Sequence, residues 1–141
     1  MLAAIGRGQL EVLGERVEAR RAVFNRYYEA LSGIDGIAFM PEAGYGKSTR
    51  WLTALTVDPG VCGVSRDQMI DTLEEENIEA RPVWKPMHLQ PLYEGCEYYP
   101  HREAESVSDR LFENGLCLPS GSSLEISDQE RIIDLILKCL K

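Results

Sequence analysis

The chain has 141 residues, about the length of one domain, with 15 Lys and Arg against 23 Asp and Glu, a formal net charge of −8. This charge argues against a nucleic-acid backbone or an anionic membrane surface as partner, because both attract clusters of basic residues. No apolar run approaches the roughly 18 residues of a membrane span, and the start lacks the pattern of a secretory signal. We therefore expect a globular cytoplasmic protein.

The four cysteines are too far apart for a common metal motif. None forms a C-x-x-C pair, so zinc-ribbon spacing is absent and we expect no metal site. Because no secretory signal is present, we predict free thiols in the core rather than disulfides. The residues concerned are Cys62, Cys96, Cys117 and Cys139.

Apolar residues recur at spacings of three, four and seven through the first 32 residues, which predicts a single long helix ended by Gly33. At ~1.5 Å per residue it would be about 45 Å long, more than the width of a small domain. Such a helix is expected to reach another domain or chain. It also starts on Met1 without a capping residue, which is typical of a helix cut at its start.

Short strands and helices alternate after Gly33. We predict strands at 37–40, 51–57, 78–83 and 116–118, and helices from Ser65 to residue 76, over 103–114, and from Ser127 onward. Ser65 with Gln68 and Ser127 with Glu130 have the spacing of capping boxes. This order predicts an α+β fold of two layers, with three or four short strands and helices on one face. The predicted inner faces of the second and last helices are Met69, Ile70 and Leu73, and Ile132, Ile133, Leu135, Ile136 and Leu140.

Gly46, Lys47 and Ser48 look like the end of a phosphate-binding loop. That motif requires a glycine at position 41, where the chain has Pro41, and a helix afterwards, where a strand is predicted. A loop between two strands is therefore favoured over a nucleotide site.

The richest cluster of chemical groups lies between residues 79 and 93. A loop at the end of a strand that combines cations, an imidazole and aromatic rings suits an anionic ligand with a sugar or a base. The alternative is structural: Trp84, Pro86 and Leu89 could cover the sheet while His88 caps a carbonyl group. The residues alone leave both interpretations open. The polar and aromatic members are Arg81, Trp84, Lys85, His88, Gln90 and Tyr93.

Other candidates are weaker. Lys85 as a Schiff-base lysine would need a cofactor phosphate site, which no segment supplies. His101, Glu103 and Glu105 are better explained as a solvated helix N-terminus. The segment 120–123 has the small residues of an anion-binding nest, but a plain turn before the last helix is favoured.

Three segments together resemble the DegT/DnrJ/StrS family of sugar aminotransferases. They are 3–10 with Arg20-Arg21 and Tyr27-Tyr28, then Arg81-Pro82 with 85–91, and finally 116–122 with 127–132. The resemblance runs the whole length of the chain in the right order. The segments 84–88 and 118–122 are most similar to the branch that aminates UDP-linked 4-keto-6-deoxy sugars in bacillosamine-type pathways.

The resemblance implies a fold-type I enzyme that uses pyridoxal phosphate and acts as a homodimer. Residues 1–32 would be its interdomain helix and 33–141 its C-terminal small domain. The catalytic lysine and the cofactor site would belong to a large domain upstream, so this chain alone is expected to be inactive and without cofactor. The implied reaction is transfer of an amino group, with glutamate as donor, to a nucleotide-linked keto sugar for surface-polysaccharide or glycan precursors.

In this family the loop that corresponds to 81–91 faces the nucleotide-sugar cleft. The resemblance therefore implies that Arg81, Trp84, Lys85 and His88 bind substrate, with Arg81 and Lys85 opposite the diphosphate and Trp84 lining the sugar or nucleotide pocket. The competing hypothesis is a stand-alone, non-catalytic α+β module that binds a ligand or a protein.

Overall fold

Four short antiparallel strands form the centre of the computed structural model, which describes residues 1–100, 102 and 105–140. The strands are β1 (Ile37–Phe39), β2 (Thr53–Val57), β3 (Arg81–Pro82) and β4 (Gly115–Leu118). The helices are α1 (Leu2–Glu11), α2 (Leu13–Leu31), α3 (Pro59–Cys62), α4 (Arg66–Glu74), α5 (Val107–Asn114) and α6 (Ile126–Cys139). Single 3₁₀ turns lie at Met87–Leu89 and Pro91–Tyr93.

The strands lie in the order β1-β2-β4-β3, and every neighbouring pair is antiparallel. Side chains alternate between the two faces, so Thr53, Leu55 and Val57 are buried on one side of β2. Helices α2, α4 and α6 supply the side chains that pack with this face. The predicted two-layer α+β fold is therefore confirmed. Its central buried residues are Tyr27, Leu31, Leu55, Val57, Met69, Leu73, Leu116, Leu118, Ile132 and Ile136.

The predicted single helix over the first 32 residues is two helices. The break lies at Val12, whose backbone has φ −106° and ψ 2° instead of helical angles. Gly8 and Gly14 flank the break and lower the helical propensity there. Helix α1 buries no residue, so no packing compensates for this weakness.

One of the two predicted capping boxes is present. The Ser65 hydroxyl accepts from the Gln68 backbone amide, and the Gln68 side-chain oxygen accepts from the Ser65 amide at 2.8 Å. The box predicted from Ser127 and Glu130 is wrong, because the N-cap of α6 is Glu125, two residues earlier, and has no side-chain cap. The helical hydrogen bonds start with the Gln129 amide on the Glu125 carbonyl.

β1, β2 and α4 are shorter than predicted by one or two residues at an end, and two other elements are shorter by four residues. The strand expected at 78–83 is paired only at Arg81 and Pro82, on the sheet edge, where the missing N–H of proline does no harm. Helix α5 starts after Ser106, whose hydroxyl accepts from the Asp109 amide at 3.2 Å, rather than at Glu103. Glu103 and His101 themselves lie outside the described residues, whereas Glu105 pairs with Arg102 and Arg110.

Helix α5 runs directly into β4 at Gly115. A Cβ atom there would meet the Leu111 carbonyl oxygen and lie 2.9 Å from a methyl group of Val83. Only glycine allows this close approach of helix, strand and edge strand.

The loop 41–50 is organised by Glu42 and not by a phosphate. Arg21 on α2 donates to both carboxylate oxygens, at 2.8 and 3.1 Å, and the Ser48 amide donates at 2.6 Å. Lys47 pairs with Glu18, and the loop leads into β2 instead of a helix. The loop interpretation of Gly46-Lys47-Ser48 is therefore correct.

All four cysteines are free thiols, as predicted. Cys117 is buried, but Cys96 is exposed and so does not belong to the core. Within the described part of the chain, no helix is long and apolar enough to cross a membrane. The same residues contain no group of three or more side chains that could hold a metal ion.

We predict that the Glu42 contacts make stability depend on pH in the acid range. The Arg21 guanidinium and the Ser48 amide hold the pKa of Glu42 at about 2, below its ordinary value of 4.5. The stability that these contacts provide is therefore complete above pH 4.5 and is lost as the pH falls toward 2. Urea midpoints of the unsubstituted chain and of Glu42→Gln should differ at pH 6 and converge near pH 2. The control is Glu29→Gln, which removes an exposed carboxylate on α2, the helix that carries Arg21, and it should show no such convergence.

We also predict that Gln129 joins α6 to α2. Its side chain is fully buried, donates to the Val23 carbonyl at 2.7 Å and accepts from Arg26 at 2.6 Å. Gln129→Leu should lower the free energy of unfolding by about 1–3 kcal/mol, because Arg26 loses its buried acceptor. Denaturant unfolding measures this, with Glu130→Leu at an exposed neighbouring position as control. Equal losses in both variants would disprove the role of Gln129.

Candidate substrate-binding groove

The face of the sheet opposite the helices carries a groove of about 590 Å³. Arg81, Cys117 and Ala54 lie side by side across β3, β4 and β2, on the face away from the core. The groove forms where β2 begins and β4 ends. It is lined by Trp51, Leu52, Glu79, Arg81, Pro82, Trp84, Cys117, Leu118, Pro119 and Ser120.

Two tryptophans form one side of this groove. Trp51 precedes β2 and Trp84 follows β3, yet their ring centroids lie 6.0 Å apart, with a tilt of 31° between the planes. They remain 60% and 68% exposed. The sequence indicates Trp84 as a candidate binding residue. It places Trp51 only in the strand predicted at 51–57. Their proximity depends on the strand order, which the sequence pattern did not give.

Ser120 and Arg20 hold the backbone on either side of the start of β2. The Ser120 hydroxyl accepts from the Thr53 amide at 2.8 Å and donates to the Leu118 carbonyl at 2.7 Å. From α2, Arg20 donates to the carbonyls of Ser120, at 3.0 Å, and of Trp51. The Leu124 amide donates to the Gly121 carbonyl at 3.1 Å, which supports the turn interpretation of the segment 120–123.

The cations of the loop occupy different positions. Arg81 lies at the rim of the groove and pairs with Glu79, its Nε 2.8 Å from the carboxylate, in a largely exposed ion pair. Lys85 is exposed on the following loop and is not among the lining residues. No described residue forms an ion pair with its ammonium group. Exposed pairs such as Arg81–Glu79 contribute little stability, so an anionic ligand could recruit either cation at small cost.

His88 points away from the groove and toward α5. Its Nε2 lies 2.6 Å from the Asp109 carboxylate, and its ring stacks on Tyr98 with centroids 3.6 Å apart. The two atoms lie close together but are not aligned as a hydrogen bond, and neither has another hydrogen-bond partner among the described residues. The Tyr98 hydroxyl lies 3.0 Å from Ser106 at the start of α5. His88 therefore fastens the loop to this helix.

The floor of the groove is electrically neutral. Burial raises the pKa of the Cys117 thiol, so it stays protonated at neutral pH. Around it lie Leu118 and two prolines, Pro82 and Pro119. The groove thus combines an apolar floor and an aromatic side with one cation at the rim, an arrangement typical of a site for an uncharged ring that carries an anionic group.

The described residues do not fit a pyridoxal phosphate site. Such a site needs a lysine in an enclosed cavity and a group of donors for the phosphate. Lys47 pairs with Glu18 at the surface, Lys85 is exposed, and Lys138 lies on the solvent side of α6. The Ser120 hydroxyl, a natural phosphate donor, is already bonded within the fold.

Residues 1–137 match the DegT/DnrJ/EryC1/StrS aminotransferase family. The match covers nearly the whole chain and agrees with the resemblance seen in the sequence. The chain belongs to this family of pyridoxal phosphate-dependent aminotransferases.

Individual relatives support the assignment. EpsN of Bacillus subtilis (strain 168), whose name describes a pyridoxal phosphate-dependent aminotransferase, is 50% identical over 97% of this chain. The GDP-perosamine synthase of Caulobacter vibrioides is 32% identical over 93%. The crystal structure of DesI with its TDP-sugar product superposes with a TM-score of 0.83, at 25% identity over 98% of the chain. In each case the chain spans about a third, 34%, of the length of the relative.

We predict that His88 holds the loop in place. In His88→Ala the contact with Asp109 and the stacking on Tyr98 are both lost, so the backbone amides of residues 86–93 should exchange with solvent severalfold faster. Hydrogen exchange followed by mass spectrometry measures this. Lys85→Ala, which removes an exposed side chain from the same loop, is the control and should leave exchange unchanged. Unaltered exchange in His88→Ala would show that the loop is held by other contacts.

Proposed function

We propose that this chain is the C-terminal third of a pyridoxal phosphate-dependent aminotransferase that aminates a nucleotide-linked keto sugar, and that its groove forms the substrate side of the active site. The observation that carries the proposal is the groove itself, with a tryptophan side, a neutral floor and an arginine at the rim. Sugar rings and bases pack against aromatic faces, and guanidinium groups bind phosphates through two parallel hydrogen bonds. A nucleotide sugar presents both kinds of group.

The relatives support the same substrate class. The names GDP-perosamine synthase and DesI with a TDP-sugar product both refer to nucleotide-linked sugars. For this chain we propose a UDP-linked 4-keto-6-deoxy sugar as substrate and glutamate as amino donor, in the synthesis of surface-polysaccharide or glycan precursors. The whole enzyme would be a cytoplasmic homodimer.

Each part of the chain has a distinct role in this proposal. Residues 33–141 form the small domain, and residues 1–32 connect it to a large domain that carries the cofactor and the lysine that reacts with it. The cofactor, when bound there, supplies the chemistry of amino transfer. Arg81 and Lys85 neutralise the diphosphate, and Trp84 packs against a ring of the substrate. We place His88 on the substrate side through the loop that it holds, since its own ring is turned toward Asp109.

The test of the function is the activity of the full-length protein. Purified with pyridoxal phosphate, it should show cofactor absorbance and transfer an amino group from glutamate to a UDP-4-keto-6-deoxy sugar. The 141-residue chain by itself should do neither. A full-length protein without cofactor absorbance would refute the enzyme and would favour the non-catalytic module.

We predict that Lys85 contributes to substrate binding and not to the binding of the cofactor. In the full-length enzyme, Lys85→Ala should raise the KM for the nucleotide sugar about 5- to 20-fold, as expected for loss of a charge-assisted contact worth roughly 1–2 kcal/mol. Absorbance of the bound cofactor should not change. Lys47→Ala is a matched control, because Lys47 pairs with Glu18 away from the groove, and its KM should stay within twofold. Loss of cofactor absorbance in Lys85→Ala would place this residue at the cofactor instead.

A further inference from the structure

The side chains of Trp51 and Trp84 form a continuous aromatic surface, here called the tryptophan wall. Large aromatic side chains are usually at least half-buried, and two adjacent exposed rings beside a groove mark a surface that another molecule covers. The backbone at Trp51 is held by Arg20, which donates to the Trp51 carbonyl, and two residues later by Ser120, whose hydroxyl accepts from the Thr53 amide. These contacts place the Trp51 backbone beside the groove, while its ring stays exposed.

The spacing of the two rings excludes one mode of binding. A flat ring inserted between two others needs about 7 Å between them, which is twice the ordinary van der Waals separation. The centroids of Trp51 and Trp84 lie 6.0 Å apart and the planes are tilted by 31°. A ligand ring therefore cannot slide between them and would have to lie against the wall from the groove side.

The charges around the groove set the direction of the ligand. The floor at Cys117, Pro82 and Pro119 carries no charge, and the cation among the lining residues is Arg81, which is paired with Glu79 at the rim. A diphosphate would be poorly solvated on the floor but well placed at Arg81. The uncharged end of the ligand must then occupy the interior.

We infer that the tryptophan wall binds an uncharged ring of the nucleotide sugar, its base or its pyranose, while the diphosphate lies at Arg81, and that Trp51 is a substrate-binding residue. This inference rests on the proposed function for the identity of the ligand. The groove volume of about 590 Å³ accommodates one such ring with its phosphates, since small-molecule sites have typical volumes of about 300–1,000 Å³.

Calorimetric titration of the full-length protein with UDP-, GDP- and dTDP-glucose tests the wall. For the sugar that binds the unsubstituted protein, Trp51→Ala should weaken Kd about 5- to 100-fold, the range found when aromatic rings under bases are removed. Trp51→Phe keeps a ring in place and should restore Kd to within about threefold. Tyr99→Ala removes an aromatic side chain that is 81% exposed outside the groove and should leave Kd unchanged.

The free nucleotide separates the two ring sources. If Trp51→Ala weakens the binding of UDP, GDP or dTDP as much as the binding of the corresponding sugar nucleotide, the base lies on the wall. If only the sugar nucleotide is weakened, the pyranose does. An unchanged Kd in Trp51→Ala, or failure of all three sugar nucleotides to bind the unsubstituted protein, would overturn the inference.

An amino-transfer assay on the same samples keeps the two proposals apart. If the protein transfers amino groups and Trp51→Ala binds the substrate with an unchanged Kd, the proposed function stands and the role of the wall does not. A protein that binds through Trp51 but transfers no amino group retains the wall without the proposed function. The unfolding temperature of Trp51→Ala should equal that of the unsubstituted full-length protein. Weaker binding then does not result from loss of the fold.

Discussion

The hydroxyl group of Ser120 holds the two central strands together at the end where the groove opens. It accepts a hydrogen bond from the first amide of β2 and donates one to the last carbonyl of β4. Helix α2 reinforces the same point, because Arg20 binds the Ser120 carbonyl and the buried Tyr27 hydroxyl donates to Pro119 at 3.1 Å. The core helix and both strands therefore converge on one turn. The groove depends on that turn, since Trp51, Pro119 and Ser120 all form part of its lining.

The second constraint is that helices α2, α4 and α6 all pack on the same face of the sheet. Three helices bury the face with Leu55, Leu116 and Leu118, which gives the fold its stability. The groove lies on the other side, where β3 carries Arg81 and the loop that follows β3 carries Trp84. Stability and binding thus fall on opposite faces of the same strands. Cys117 in β4 lines the groove and Leu116 packs in the core, while Leu118, at the end of the strand, contributes to both.

Local patterns in the sequence predicted local structure well. The Ser65 capping box and the inner face of α4 involve residues within a few positions of each other, and both are present. Helix α6 shows the limit, because its start is set by Gln129, which must be buried against Val23 more than a hundred residues away. Likewise, the composition of the segment 79–93 was enough to identify Arg81 and Trp84 as candidate binding residues. Trp51 was not, because its proximity to Trp84 follows from a strand order that no short pattern encodes.

The acidic composition of the chain is compatible with an anionic substrate because the binding contributions are separated in space. A net charge of −8 repels extended polyanions, which need many cations along one surface. A nucleotide sugar needs only one or two cations for its diphosphate, next to an uncharged surface for its rings. Glu79 holds Arg81 at the rim through an exposed ion pair, so the guanidinium stays hydrated and ready to exchange a carboxylate for a phosphate. The uncharged ring then contributes binding energy that the surrounding negative charge does not oppose, and this makes the tryptophan wall the part of the groove best suited to select its ligand.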